Sequence, residues 1–266
     1  MGFEKAFAQN QASWDQRVAP HLDSDMYNME VFKQGATSLK HPELGLVGDV
    51  DGKQLLHLQC HFGQDTLSFA RMGAQVTGID FSPKAIETAH VLRDELGLNA
   101  QFHCCNVLHT NQHVQDTFDV VFTSYGTITW LPNISEWADV VAARLKPGGR
   151  FVMVEFHPSM WMLDDDYTTL HYPYWSTDQQ TYSESGTYAD REAAIETTSH
   201  WWNHPISELM SVLLERGLQL KHMAEYDHSV YSCLPGMEED LPGEFVLPSF
   251  GRKIPYMYSV VFEKPA

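Results

Sequence analysis

From about residue 53 onward, short apolar runs alternate with amphipathic stretches, and this alternation constrains the fold more than any other feature of the chain. Such runs are typical of strands buried in a parallel sheet, and the stretches between them are typical of helices that cover it. The pattern therefore predicts an α/β architecture. We expect strands at 54–58, 75–79, 100–104, 118–123, 149–156, 218–226 and 255–262.

Local signals mark where the intervening helices begin and end. Ser82 followed by Pro83 predicts a helix start, because serine caps free N–H groups and proline at the first helical position loses no hydrogen bond. A second helix should begin near Asn133 and stop at the Lys-Pro-Gly-Gly run at 146–149. A third should cover 206–216.

Three segments do not follow the alternation: 1–50, 157–204 and 227–255. Loops of this length inside one domain are usually functional. We expect residues 1–50 to form a helical cap and the other two segments to be lid insertions into a domain that spans 51–266. Period-2 stretches near 186–190 and 195–202 predict a hairpin within the first insertion.

Composition excludes several classes of function. The chain of 266 residues has 17 basic and 35 acidic side chains and a net charge of −18, which disfavours nucleic acids and anionic membranes as partners. No apolar run approaches the length of a membrane span. The four cysteines show no CxxC spacing, which favours a reducing, cytoplasmic compartment. The histidines form no convergent set of three ligands, so we expect no metal.

The first strand-loop-helix unit is a candidate nucleotide site. Its loop at 59–65 leads into a helix N-terminus, which can hold a negative or strongly polar group. Asp80 ends the second strand, where a carboxylate can accept both hydroxyls of a ribose. These features indicate a cofactor that contains adenosine, and they leave both NAD and S-adenosylmethionine (SAM) open.

Three stretches carry a family resemblance: LLHLQCHFGQDTLSFARMGAQVTGIDFSPKAI, FDVVFTSYGTITWLPNISEWA and LKPGGRFVMVEFHP. With them the chain resembles a class I SAM-dependent methyltransferase of the type 11 group, and within it a bacterial subfamily with an LQCHFGQDT variant of the first motif. The resemblance implies a Rossmann-like, seven-stranded and mostly parallel sheet whose last strand is antiparallel. It also implies SAM as the cofactor.

One departure from the family pattern concerns the cofactor loop. The common motif is acidic-x-Gly-x-Gly-x-Gly, whereas this chain has His57, Gln59, His61 and Gly63 at those positions. We expect the backbone still to approach SAM if Gln59 and His61 keep negative φ. Gln59 could itself bind the carboxylate or amine of SAM.

The resemblance implies a set of cofactor-binding residues. Asp80 would bind the ribose hydroxyls, Phe81 and the Val107 N–H would contact adenine, and Asn106 would accept from the adenine amino group. For Phe81 and Val107, core packing is an equal alternative. The complete set is Gln59, Cys60, His61, Gly63, Asp80, Phe81, Asn106, Val107 and Ser124.

A small-molecule acceptor should lie under the lid insertions. Residues 157–204 carry nine aromatic and eight acidic side chains but only one basic one, which suits a cationic or neutral molecule. The alternative is that these aromatics are the lid's own core and the aspartates at 164–166 form a solvated turn. Candidate acceptor-binding residues are Trp14, Arg17, Tyr27, Tyr188 and Trp201.

Methyl transfer to a protonated nucleophile requires a base, for which the candidates are His157 and Tyr125. His157 could instead belong to a capping turn. The leading hypothesis is methyl transfer from SAM to a small molecule. A non-catalytic SAM-binding module and an NAD(P) oxidoreductase are the alternatives; the latter is disfavoured because no GxGxxG is present. The oligomeric state stays open.

Overall fold

The computed structural model describes residues 2–175 and 178–266. In these ranges the helices are α1 (Glu4–Asp23), α2 (Met29–Lys33), α3 (His41–Val47), α4 (Gln64–Arg71), α5 (Pro83–Leu96), α6 (Thr110–His113), α7 (Ile134–Arg144) and α8 (Ile206–Glu215). The strands are β1 (Gln54–Leu58), β2 (Gln75–Asp80), β3 (Ala100–Cys104), β4 (Phe118–Ser124), β5 (Leu145–Phe156), β6 (Gln180–Ser185), β7 (Glu196–Trp201), β8 (Gln219–Tyr226), β9 (Glu238–Leu241), β10 (Glu244–Val246) and β11 (Met257–Glu263).

Seven of these strands form one sheet in the order β3-β2-β1-β4-β5-β11-β8. The neighbours from β3 to β5 are parallel, and β11 runs antiparallel to both β5 and β8. The expected Rossmann-like sheet with an antiparallel last strand is therefore confirmed. In such a sheet, ligands bind at the carboxyl ends of the parallel strands.

Helices cover both faces of the sheet, and each face has its own apolar core. On one face α4 and α5 bury side chains such as Phe69 and Ala89 together with Phe32 of α2. On the other face α7 and α8 bury Trp137 and Leu209. The predicted helix start is confirmed, because the Ser82 hydroxyl accepts the N–H of Ala85 at 3.1 Å. This packing keeps the strand ends at the carboxyl edge in fixed positions.

The first insertion contains the expected hairpin, with β6 paired antiparallel to β7. The predicted position of its first strand was wrong: β6 lies at 180–185, and residues 186–190 form the turn. Gly186 has a φ of 75°, and a Cβ there would lie 2.4 Å from the carbonyl oxygen of Arg191. A position that only glycine fits ends the strand, although the period-2 pattern continues beyond it.

Helix α1 is fastened to this hairpin. The Asn10 side chain donates to the carbonyl of His200 at 2.8 Å and accepts its N–H at 2.7 Å, and Ser13 bonds Ser199. Arg17 donates to Glu184 at 2.5 Å. Helix α1 and the β6–β7 hairpin thus form one unit, which we name the cap. Among the described residues, no helix is long and apolar enough to cross a membrane.

Candidate cofactor and acceptor site

The loop after β1 has the shape of a glycine loop although two glycines are replaced. Gln59 and His61 have φ values of 57° and 52°, so the condition of negative φ that was set for a close approach of the backbone to SAM is not met at either residue. Hydrogen bonds impose this path: the Cys60 N–H donates to Ile79 and the His61 N–H donates to Asp80, both at 2.8 Å. Left-handed residues other than glycine cost on the order of 1–3 kcal/mol each and are concentrated at functional sites.

The remaining glycine of the loop, Gly63, has a packing role. Its φ is 77°, and a Cβ there would lie 2.6 Å from the ring of Phe102. The glycine therefore lets the N-terminus of α4 pack closely on β3, which fixes the loop against the sheet.

Asp80 sits at the end of β2 beside this loop. One carboxylate oxygen accepts the Ser82 N–H at 2.9 Å and the other accepts the His61 N–H. Burial raises the pKa of Asp80 to about 6. Each oxygen has two lone pairs and uses one, so the carboxylate can still accept the two hydroxyls of a ribose.

The other expected cofactor residues follow the neighbouring strands at the same edge. Phe81 is half-buried, and the Asn106 side chain accepts the Leu108 N–H at 3.0 Å. Val107 is buried in the core under α7, which is the packing role considered above. Ser124 ends β4 and is half-buried. The sheet therefore brings the set together in space.

The cap reaches over this edge from the other side. The Gln11 side chain donates to the Phe81 carbonyl at 2.6 Å, and the Ser82 hydroxyl donates to Asp15 at 2.5 Å. The Trp14 ring packs 5.2 Å from that of His61. The N-terminal helix thus covers the loop that carries the cofactor motif.

Several buried polar atoms under the cap have no hydrogen-bond partner within the described part of the chain. They are Arg17 Nε, Gln59 Oε1 and both ring nitrogens of His21 and of His61. Burial lowers the pKa of His21 to about 2 and that of His61 to about 3, so both rings are neutral at neutral pH. Unsatisfied buried polar groups are costly, so their concentration here indicates a polar ligand. Of these atoms, those of Arg17, Gln59 and His61 offer both donors and acceptors, which fits the amino-acid end of SAM.

Four of the five expected acceptor-binding residues meet at this place. Tyr27 and Tyr188 join their hydroxyls in a hydrogen bond, and the His21 ring lies 5.1 Å from Tyr27 and 4.7 Å from Tyr188. Trp14 and Arg17 lie against the same group. Trp201 is not part of it; its ring packs 6.2 Å from Trp161 and 5.8 Å from Tyr172.

Tyr125 lies just after β4, and its partner is a residue that the sequence reasoning missed. Its hydroxyl donates to Glu43 of α3 at 2.6 Å. Glu43 is fully buried, and burial raises its pKa to about 7. Its other oxygen accepts the Lys40 N–H at 2.8 Å, as in a capping box. The Lys-x-x-Glu spacing could have predicted that capping bond, but no local signal predicts the contact with Tyr125.

A second missed residue, Glu155, holds the loop that carries Tyr125. Its carboxylate accepts the N–H groups of Gly126 and Thr127 and the hydroxyl of Thr127. Tyr125 itself has a φ of 51°. Glu155 therefore fixes the conformation of this loop, and a single acidic residue inside the apolar run FVMVEF could have identified it.

His157 lies apart from these groups. Its Nδ1 bonds the Ser159 hydroxyl at 2.7 Å and its Nε2 bonds Glu225 at 3.0 Å, so both nitrogens have partners. Burial lowers the pKa of His157 against the opposing effect of Glu225. Its ring packs against Tyr258. These contacts match the capping-turn alternative, and they give no support to a role as base.

The aspartate run at 164–166 forms a turn. Asp164 accepts the N–H groups of Thr168 and Thr169 and bonds their hydroxyls, which lowers its pKa to about 2. Asp165 and Asp166 are exposed. The solvated-turn alternative therefore describes this run.

Comparisons with known proteins identify the central part of the chain. Residues 55–149 match a family model described as a methyltransferase domain. A putative SAM-dependent methyltransferase from Listeria monocytogenes has the same fold, with a TM-score of 0.56 and 18% identity over 85% of this chain and 97% of that one. Residues 55–149 form a class I methyltransferase domain.

Two further proteins are similar to this chain, and their names state different kinds of methyl transfer. A ubiquinone biosynthesis O-methyltransferase from Aeromonas salmonicida is 30% identical over 39% of this chain and 43% of its own length. A glycopeptide N-methyltransferase in complex with SAM aligns with a TM-score of 0.52 and 15% identity over 84% of this chain and 85% of that one. The chain spans about half the length of the curated relatives it matches.

Proposed function

We propose that the protein transfers a methyl group from SAM to a small-molecule acceptor. The observation that carries the proposal is a group of buried polar atoms of Arg17, Gln59 and His61 that have no partner among the described residues and lie beside Asp80, at the strand edge of a methyltransferase domain. These donors and acceptors fit the carboxylate and amine of SAM, and Asp80 fits its ribose.

The chain's own residues would bind, orient and shield the cofactor. Asp80 would hold the ribose, Phe81 would lie against adenine, and Gln59 with His61 would bind the amino-acid end. When bound, SAM supplies an electrophilic methyl group on a positively charged sulfur. The cap, through Trp14, would exclude water, which strengthens electrostatic interactions at the site and prevents side reactions.

The acceptor we propose is a small, cationic or neutral molecule. The net charge of −18 supports this proposal, because phosphate backbones would be repelled. The half-buried aromatic rings of Trp14 and Tyr188 lie together under the cap, with Tyr27 bonded to Tyr188, and aromatic faces suit a cationic or neutral small molecule. The four free cysteines are compatible with a reducing compartment such as the cytoplasm, where we propose the protein acts.

Isothermal titration with SAM tests the cofactor proposal. We expect wild-type protein to bind at micromolar to millimolar concentration, and Asp80→Asn to weaken binding by at least about tenfold because it removes a charged acceptor for two hydroxyls. Asp94→Asn, at an exposed position on α5, is the matched control. Circular dichroism checks that both variants fold. Wild-type protein that does not bind SAM at millimolar concentration would overturn the proposal.

A further inference from the structure

A group of tyrosines and carboxyls lies between the cofactor loop and the second insertion. Tyr125 bonds Glu43, and the Tyr231 ring packs edge-on against Tyr125 at 5.1 Å. Burial raises the pKa of Tyr231 well above its usual value, and the nearby charges of Asp65 and Glu43 raise it further. We name Glu43, Asp65, Tyr125 and Tyr231 the tyrosine–carboxyl cluster.

The cluster joins the aromatic group under the cap. The side chain of Gln64, the neighbour of Asp65 in α4, donates to the Tyr27 carbonyl at 2.6 Å. Burial and then Tyr188 raise the pKa of Tyr27, and the charge of Asp65 contributes in the same direction. The region between the cap and β4 thus contains tyrosine rings, tyrosine hydroxyls and two carboxyls.

Negative charge in this space is only partly neutralised. Glu43 is satisfied by a hydroxyl and a backbone N–H, both of which are neutral donors. Lys40 lies over the Tyr231 ring at 4.9 Å. Burial raises the pKa of Asp65, and the Ser38 hydroxyl and the charge of Lys40 oppose that shift. Arg17 is already paired with Glu184. Within the described ranges no cation is paired with the Glu43 carboxyl, and buried carboxylates are stabilised by paired cations.

A second observation points to a ligand in the same space. His21 is fully buried, and neither of its ring nitrogens has a partner among residues 2–175 and 178–266. Its ring contacts both Tyr27 and Tyr188. A neutral imidazole offers one lone pair to an N–H donor, and aromatic faces attract cations, so both features suit an ammonium group.

We propose that the methyl acceptor is an amine, which binds as an ammonium ion at the tyrosine–carboxyl cluster and gives its proton to Glu43 through the hydroxyl of Tyr125. This inference rests on the proposed function. The amine N–H proton moves to the Tyr125 oxygen while the Tyr125 proton moves to Glu43. The freed lone pair then forms the carbon–nitrogen bond as the carbon–sulfur bond of SAM breaks and its electron pair goes to sulfur.

The electrostatics of Glu43 agree with this role. Burial raises its pKa to about 7, with a further contribution from Asp65, while Tyr125 and the Lys40 N–H oppose the shift. The groups that face it are thus Asp65 of α4, Tyr125 after β4, Tyr231 of the second insertion and Lys40 at the start of α3. An arriving ammonium favours the ionised carboxyl, which can then accept a proton.

The test compares two probes of equal size that differ in charge, benzylamine and benzyl alcohol. Their affinities for protein saturated with S-adenosylhomocysteine are measured by isothermal titration at pH 8. We expect wild-type protein to bind benzylamine at least about tenfold more tightly, and Glu43→Gln to remove most of this preference. Glu30→Gln, at an exposed position on α2, is the matched control and should keep the wild-type preference.

The outcomes separate the two proposals. Failure of wild-type protein to bind S-adenosylhomocysteine would overturn the proposed function itself. Normal binding of S-adenosylhomocysteine with equal affinity for benzylamine and benzyl alcohol would overturn only the amine inference. A Glu43→Gln variant that is folded by circular dichroism and keeps the full preference would exclude Glu43 from the site of the cation.

Discussion

Glu43 is a carboxylic acid that folding removes completely from water. Its usual pKa of 4.5 applies to the unfolded chain, whereas burial raises the folded pKa to about 7. Between these values the folded state holds a proton that the unfolded state has released, so the free energy of unfolding falls as pH rises. The decrease in the free energy of unfolding that this one group causes is about 3 kcal/mol and is complete above pH 7.

Glu43→Gln should therefore change the pH dependence of stability. Glutamine cannot ionise, so the free energy of unfolding of the variant minus that of wild type should rise by about 3 kcal/mol between pH 4 and 8. Urea denaturation at a series of pH values measures this difference. Glu30→Gln is the control and should give a difference that is independent of pH. A constant difference for Glu43→Gln would mean that Glu43 has the same pKa in the folded and the unfolded state.

At the scale of secondary structure elements, local patterns were sufficient for much of the fold. Strands 54–58 and 100–104 were predicted with their observed bounds, because a short apolar run between turn residues has one stable placement in a buried sheet. The helix start at Ser82 was predicted for a similar reason, since the hydrogen bond at the N-terminus of this helix joins residues three apart.

Contacts between distant elements could not be predicted in this way. Asn10 bonds a residue 190 positions away, and Tyr125 bonds one 82 positions away, so no window of sequence contains both partners. The left-handed conformations of Gln59 and His61 escaped prediction because hydrogen bonds to the neighbouring strand end impose them. The sequence thus identified the edge where the site lies, but not the carboxyl of Glu43 that completes it.

The cap depends on a few buried hydrogen bonds, and Asn10→Ala should loosen it. The change leaves the N–H and carbonyl of His200 without partners, which costs about 2 kcal/mol or more. Hydrogen exchange followed by mass spectrometry measures this loosening. Relative to wild type, the exchange of the variant should accelerate more in peptides from α1 and from β6–β7 than in peptides from the central sheet.

Gln16→Ala is the matched control for the cap prediction. Gln16 is exposed on the same helix, and among the described residues its side chain bonds only the carbonyl of Ala12, within that helix. Its exchange pattern should equal that of wild type. If Asn10→Ala instead accelerated exchange equally in all peptides, the cap would unfold only together with the sheet and would not be a separate unit.

Across the whole molecule, the negative charge is arranged in two ways. Part of it is paired at the surface, where Arg252 bonds Asp227, Asp240 and Glu244 of the second insertion. Another part is buried, and burial raises the pKa of each of these carboxyls. The buried carboxyls are Glu43, Asp65, Asp80 and Glu155. They make the folded state more stable at acidic pH than at neutral pH.

Buried histidines have the opposite effect. His21, His57 and His61 have pKa values lowered mainly by burial to about 2, 3 and 3. At pH values below 6.5, the usual pKa of histidine, the unfolded chain binds protons at these residues and the folded state does not. The free energy of unfolding therefore falls as pH decreases. Between pH 5 and 6 the histidines and carboxyls oppose each other. Below pH 4, where the carboxyls are protonated in both states, the histidine contribution remains and should drive acid unfolding.

His57→Gln should expose this histidine contribution. His57 lies in β1, its ring is hydrogen-bonded to the Thr66 hydroxyl, and it is 3% exposed. The free energy of unfolding of the variant minus that of wild type should increase by about 1.4 kcal/mol for each unit by which the pH is lowered from 6 to 4. The reason is that the unfolded variant has no imidazole at this position to protonate. His113→Gln, at an exposed position on α6, should show no such slope. Parallel pH profiles for His57→Gln and wild type in urea denaturation would mean that His57 takes up its proton equally in the folded and the unfolded state. Acid unfolding would then have to come from the other two histidines.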